Sequence, residues 1–293
     1  MKLGELGNIR GKLVREGDFS ALGRPKDWQP NRLVSIENEA DLEILNQDKN
    51  ISFVITSETF AKLVPENIGM LIVDEPNTVF RKIHSALVAM GGFYPDDFDN
   101  EISSDAVIHR TAVISDRSVR IERNCRIGPK AFVGPQTVIE EDVSIGPGTI
   151  LGADWSNPPL GDINVNLIRA GGIRIGKKAW IHANCVVERS IFSGLTEIGD
   201  YTYIDNLVSI GAGARTGKAC LIVAAAVIGE NASLGDEVWV GPNSLIADGV
   251  RIGRKGSVTL GSVVIEDIAA GKKVTGNFAI DHKKFIEFMR RIR

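Results

Sequence analysis

No apolar stretch in the 293 residues reaches the ~18 needed to span a bilayer as a helix, so nothing reads as a transmembrane segment. Residues 1–13 lack an apolar core followed by a cleavage site, so they do not read as a secretory leader, and a cytoplasmic location is expected. Cysteine is scarce: Cys125, Cys185 and Cys220 show no paired spacing, so a disulfide frame and a cysteine zinc site are both excluded. Neither sign of charge dominates; a net charge of −3 gives no reason to expect a nucleic-acid partner. The first hundred residues contain no glycine-rich phosphate loop. Histidine occurs only as His84, His109, His182 and His282.

What is abundant is a period of six. Ile198, Ile204, Ile210, Ile222, Ile228, Leu234, Val240, Ile246, Ile252, Val258 and Val264 recur at that interval, with Thr216 the one exception. The same period runs from Ile102 to Leu151, with one extra residue between Ile114 and Ile121, and again through Ile175, Ile181 and Val187. That makes 24 hexads, or eight coils of three, with 23 aliphatic leads. A period of six fits neither a helix nor a hairpin sheet; it is the signature of a left-handed parallel β-helix, mainly β in class. The leads point inward, small residues follow at the corners, and the three cysteines take the fifth hexad position as small packing side chains.

Residues 1–100 lack this period. Strand-like runs at 51–56 and 70–73 alternate with helical patterns at 40–45 and 79–90, which suggests a small α/β domain. Residues 91–97 read as a linker. The β-helix domain is expected over 101–270, with a long loop at 152–174 and a five-residue insertion after Val187. Both interruptions flank one coil and frame one region, where a solenoid commonly carries its site. Over 271–293, Phe285, Phe288, Met289 and Ile292 at helical spacing, with Lys283, Lys284, Arg290, Arg291 and Arg293, suggest a basic amphipathic helix on the last coil.

Soluble hexapeptide solenoids are mostly acyltransferases, with carbonic anhydrases and nucleotidyltransferase tails as minorities. A three-histidine metal site is not available, because only His109 and His182 lie in the coils. Segments 33–42 (LVSIENEADL), 71–80 (LIVDEPNTVF), 175–189 (IGKKAWIHANCVVER) and above all 204–208 (IDNLV) resemble the UDP-3-O-acylglucosamine N-acyltransferases of lipid A synthesis over nearly the whole chain. The resemblance implies a uridine-binding N-terminal domain, a trimer with sites between neighbouring solenoids, and an acyl donor that is acyl carrier protein. The basic C-terminal helix would receive that acidic carrier. No tightly bound cofactor or metal is expected, and coenzyme A is the other candidate donor.

The departures from that family are specific. Its catalytic histidine falls on Ala212 and a second one on Gly249; its uracil-stacking aromatic falls on Ser35 and a nearby tyrosine on Asp41, while Asn38 is retained. The glycine whose N–H serves the oxyanion falls on Glu230. By register, His182 and Asp205 are both second residues of hexads on one face of consecutive coils, separated by about 5 Å of stacking. They are the expected base and its orienting carboxylate; a surface histidine beside a structural aspartate is the alternative. Glu188 and Arg189 match an acidic-basic pair of the family and are candidate substrate contacts, as are Asn206 within the IDNLV motif and Gly211 just after it. Asp248 could bind the acceptor amine or end a turn, and Trp155 could line a pocket or pack the loop. His109 and His282 are expected to be structural.

The expected activity is acyl transfer from a thioester to the amine of a nucleotide-activated amino sugar, in lipid A, O-antigen or capsule synthesis. The lipid A N-acyltransferase proper and a catalytically impaired trimeric scaffold are the alternatives.

Overall fold

A computed structural model describes all residues except 8, 153–167, 193, 277–280 and 292–293. From residue 101 the chain winds a left-handed parallel β-helix of triangular section, whose three sheets hold nine, eight and eight strands. Each of the 24 hexad leads ends a strand, and from Ile121 to Val264 all of them are buried. A two-residue strand and a four-residue turn make each hexad. The third turn residue has positive φ, as at Asn184 (55°), Leu207 (63°) and Asn243 (55°), and that left-handed step swings the chain round the corner. Thr216 is a substitution with a reason. The strand ladder between Leu195–Ile198 and Arg215–Thr216 keeps a single pair, and the Thr216 hydroxyl accepts the Gly199 N–H at 2.9 Å.

The prism runs further than expected. Lys273–Val274 pairs with Ser257–Val258 and Ile268 bridges to Ile252, so a last rung lies beyond residue 270. The helix His282–Arg291 (called α4 below) has no buried side chain among its described residues, and Phe288 is exposed. No described helix is long and apolar enough to cross a membrane.

The outward residues give each face a character. One carries charge, with Glu101, Arg120, Arg174, Glu197, Arg215 and Arg251, and ion pairs such as Arg120–Glu101 at 2.6 Å and Arg215–Glu197 at 3.0 Å. The next is aromatic at its centre, with Trp180, Tyr203, Leu221 and Trp239 in register. The third is aliphatic: Val113, Phe132, Ile150, Val186, Val227, Leu245 and Val263 share it with Ser209 alone. The chain passes from charged to aromatic to aliphatic face in every coil.

Residues 12–90 form a five-stranded sheet with strands β1 (Lys12–Arg15), β2 (Ala21–Leu22), β3 (Arg32–Ile36), β4 (Ile51–Thr56) and β5 (Gly69–Ile72). The spatial order is β1-β5-β4-β3-β2, antiparallel at β1 and parallel elsewhere. Both faces of a parallel sheet need cover. Helices α1 (Glu39–Gln47) and α2 (Glu58–Ala61) sit between strands, and α3 (Pro76–Met90) follows the last. One side of the sheet buries Val34, Ile36, Leu45, Val54 and Met70. The other buries Phe19, Leu33, Phe53, Phe80 and Leu87 together with Ile191, Phe192 and Ala212 of the solenoid. This second cluster joins the two parts of the molecule. The 91–97 linker is packed as well: the Tyr94 hydroxyl lies 2.6 Å from His84 Nδ1.

Candidate active site

All the interruptions of the solenoid fall on one corner, where the aliphatic face turns into the charged face. The extra residue before Ile121, the loop after Leu151 and the insertion after Val187 all stand at that corner, in three of its coils, and the N-terminal sheet docks along it. Between the two lies a cleft of about 370 Å³. Its N-terminal wall is the loop 23–27, the end of β3 at Ser35, the start of α1 at Asp41, and Asn77, Phe80 and Arg81 of α3. Its solenoid wall is Glu230, Asn231, Asp248 and Gly249.

The loop is shaped from beneath by Arg32, which is fully buried. Its guanidinium donates to the carbonyls of Arg24 (3.2 Å), Gln29 (2.9 Å) and Pro25 (2.6 Å) and to Asp48 Oδ2 (2.6 Å). A buried charge is tolerable when its donors are met in this way. Trp28 lies 3.9 Å over the Arg215 guanidinium and pins the loop to the charged face.

Asn38 caps α1: its Oδ1 accepts the Asp41 N–H at 2.9 Å and its Nδ2 donates to Asp41 Oδ2 at 2.8 Å. It therefore sets the Asp41 carboxylate on the cleft wall. Glu230 pairs with Arg24 at 2.5 Å, and its N–H donates to Asp248 Oδ1 at 2.9 Å. The amide expected to serve an oxyanion is thus occupied by Asp248, whose carboxylate ties two coils together. Gly211 lies where a Cβ would come within 2.7 Å of the Glu230 nitrogen, so the close approach of these coils requires glycine.

Ala212 is buried in the apolar cluster that joins the two parts. A cavity of about 10 Å³ separates it from Asp27, room for about one water. Burial pushes the Asp27 carboxyl up against the pull of the Arg24 N–H and the Arg24 and Arg32 charges.

His182 and Asp205 are neighbours in register, as Trp180 pairs with Tyr203 and Ile181 with Ile204. They stand on the aromatic-to-aliphatic corner, not on the corner of the cleft. No hydrogen bond joins them in this structure. Asp205 Oδ1 accepts from the Asn206 N–H (2.8 Å) and Nδ2 (2.7 Å), a local turn that meets its need for donors. The His182 ring lies 4.7 Å from that of Tyr203, and its buried Nε2 has no partner. Asn206 Oδ1 in turn accepts the Ala183 N–H at 3.1 Å.

Glu188 pairs with Arg169 at 2.9 Å. Arg189 is buried and donates to the carbonyls of Gly171 (3.1 Å) and Arg169 (2.6 Å), which holds the returning loop. Trp155 lies outside the described residues. The three cysteines are free and buried, and burial raises each thiol, so none is a poised nucleophile. Among the described residues no group of three His, Cys, Asp or Glu could hold a metal. Sequence reasoning missed Lys26, Asp27, Arg32 and Arg81. For Lys26 and Asp27 the one signal was the charged, proline-bracketed run 24–30, which lies outside any periodic pattern; Arg32 and Arg81 lie outside that run.

Residues 118–153 match the bacterial transferase hexapeptide (six repeats) family. A UDP-3-O-acylglucosamine N-acyltransferase from Helicobacter pylori J99 is 31% identical over 268 residues, covering 82% of this chain and 78% of that one. One from Campylobacter curvus is 33% identical over 117 residues, a match spanning 40% of this chain and 37% of that one. The crystal structure of a UDP-N-acetylglucosamine O-acyltransferase from Moraxella catarrhalis aligns with a TM-score of 0.44 at 21% identity, over 66% of this chain and 76% of that one.

Proposed function

The chain belongs to the UDP-3-O-acylglucosamine N-acyltransferase family, an acyltransferase family, and from that premise we propose that it acylates the amine of a nucleotide-activated amino sugar. The donor is a thioester of acyl carrier protein or coenzyme A, and the product feeds lipid A, O-antigen or capsule synthesis. One observation carries the reading: the cleft between the N-terminal sheet and the solenoid corner has the size of a small-molecule site and presents Lys26 and Arg81. Neither cation is in an ion pair among those of the described residues, and both suit a diphosphate.

In the reaction the amine nitrogen attacks the thioester carbonyl. The C–N bond forms, the C–S bond breaks, the thiol departs, and the amine's proton passes to a base. His182 is the candidate base, and it serves the cleft in a trimer. The aliphatic face is bounded by the His182 corner on one side and the cleft corner on the other. Three such faces packed head to tail round an axis set each His182 corner beside a neighbour's cleft corner. The exposed Val186, Val227, Leu245 and Val263 support that packing.

The test is incubation with a panel of nucleotide amino sugars and acyl-carrier-protein or coenzyme A thioesters, read by mass. A product heavier by one acyl group is expected. Absence of product with every pair, while a sugar nucleotide still raises the melting temperature, would replace this reading with that of a binding protein on an acyltransferase fold.

A further inference from the structure

A second cavity, of about 650 Å³, adjoins the cleft along the charged face of the solenoid. It shares Pro25, Lys26, Asp27, Asn231 and Gly249 with the cleft, so the two meet at the Lys26 side chain. A Cβ at Gly249 would come within 3.0 Å of Lys26 Cδ, so glycine there lets the lysine stem lie across the junction. Trp28, Gln47 and Asn50 line the N-terminal side of this cavity, and Arg215 and Arg251 its solenoid side. Trp28 is 41% exposed although the Arg215 guanidinium covers one side of its ring at 3.9 Å. Arg215 is itself held by Glu197 at 3.0 Å. The indole is thus backed by a fixed cation, and its uncovered surface borders the cavity. Among the described residues Phe80 is the one aromatic side chain of the cleft proper, and it is packed against Phe192 with ring centroids 5.3 Å apart.

On the sugar-nucleotide reading above, we propose that Trp28 is the platform on which the nucleoside base stacks, with the ligand running from this second cavity past Lys26 into the cleft. A sugar nucleotide has three parts of different chemistry, and the two cavities offer a place for each in that order. The base is flat and takes an aromatic surface. The Gln47 and Asn50 amides beside it each combine donors with an acceptor, which suits the carbonyl, N–H and carbonyl of a uracil edge. The diphosphate lies at the junction, where Lys26 stands with Arg81 beyond it, two cations for its charge. The sugar then falls in the cleft proper, whose remaining wall is polar with Asp41 and Asn77. A guanidinium already seated behind the indole fixes the ring before a ligand arrives, which spares the cost of ordering it.

The experiment is calorimetric titration of the full chain with UDP and with methyl diphosphate, which carries the two phosphates and no base. It needs no turnover, so it fails or succeeds independently of the acyl-transfer test. Trp28→Leu is expected to weaken UDP about tenfold or more and to leave methyl diphosphate within about twofold. Trp28→Phe keeps a ring and should retain most of the UDP affinity. Equal loss of both ligands in Trp28→Leu would overturn the proposal, since the indole would then only hold the loop that carries Lys26. Unchanged UDP affinity in Trp28→Leu would overturn it too, and would leave the sugar-nucleotide reading standing with its base seated elsewhere. So would a Trp28→Phe variant as weak as Trp28→Leu, or a parent chain that binds UDP no more tightly than methyl diphosphate or binds neither.

Discussion

Arg32 and His182 show how differently single side chains bear on this site. Arg32 reaches no ligand, yet its four acceptors fix the loop that carries Lys26 and Asp27. Arg32→Leu strips the donors from three carbonyls and Asp48, and is expected to cost about 3 kcal/mol. Urea denaturation checks it; a loss near zero would mean that the loop holds its shape unaided. His182→Ala should lower turnover by roughly a hundredfold or more while leaving the oligomer intact, measured by product formation and light scattering. Unchanged turnover would remove His182 from the chemistry. At this scale the sequence was only half legible. Hexad arithmetic brought His182 beside Asp205, because register follows from counting. It did not reveal that Asp205 bonds to Asn206, or that Ala212 is walled in by Phe192, because side-chain partners depend on packing across the domain junction.

Among the elements, α3 is tied to the returning end of the long loop by one imidazole. His84 Nε2 lies 2.7 Å from the Ile168 carbonyl and Nδ1 2.6 Å from the Tyr94 hydroxyl, an arrangement that suits the neutral ring. Burial lowers its pKa below the usual 6.5, against the raising effect of the Ile168 carbonyl. A depressed pKa contributes stability above the unfolded value and loses it as pH falls. Unfolding free energy should therefore drop between about pH 7.5 and 5.5, and His84→Gln should flatten that drop; identical slopes would exclude His84 as the source. The solenoid strands were legible one by one, since a two-residue strand with an inward aliphatic repeats a fixed local rule. Even Thr216 kept its place, its hydroxyl standing in for a ladder carbonyl. Strands β1 to β3 were not marked as strands. Each is short or buried on both faces, so neither alternation nor a six-residue period exposes it.

For the molecule as a whole, the distribution of outward residues governs assembly. The charged face is occupied by its own ion pairs and by Trp28, whereas the aliphatic face is left bare. Leu245→Arg, at an exposed outward position, should leave the coils folded but reduce the oligomer to monomers, seen as a threefold fall in mass by light scattering, with loss of turnover. A monomeric parent, or a trimeric variant, would contradict packing through this face. The cleft itself exists only because the N-terminal sheet docks on the corner where the coils are interrupted. That placement could be anticipated from the insertions, whereas the lining from residues 23–27 could not.

Diffraction from crystals soaked with a nucleotide amino sugar tests the central claim most directly. Density for the diphosphate between Lys26 and Arg81, with the amine toward a neighbouring protomer's His182 corner, is the expected result. Ligand density on the aromatic face or elsewhere, with the cleft holding only solvent, would contradict it.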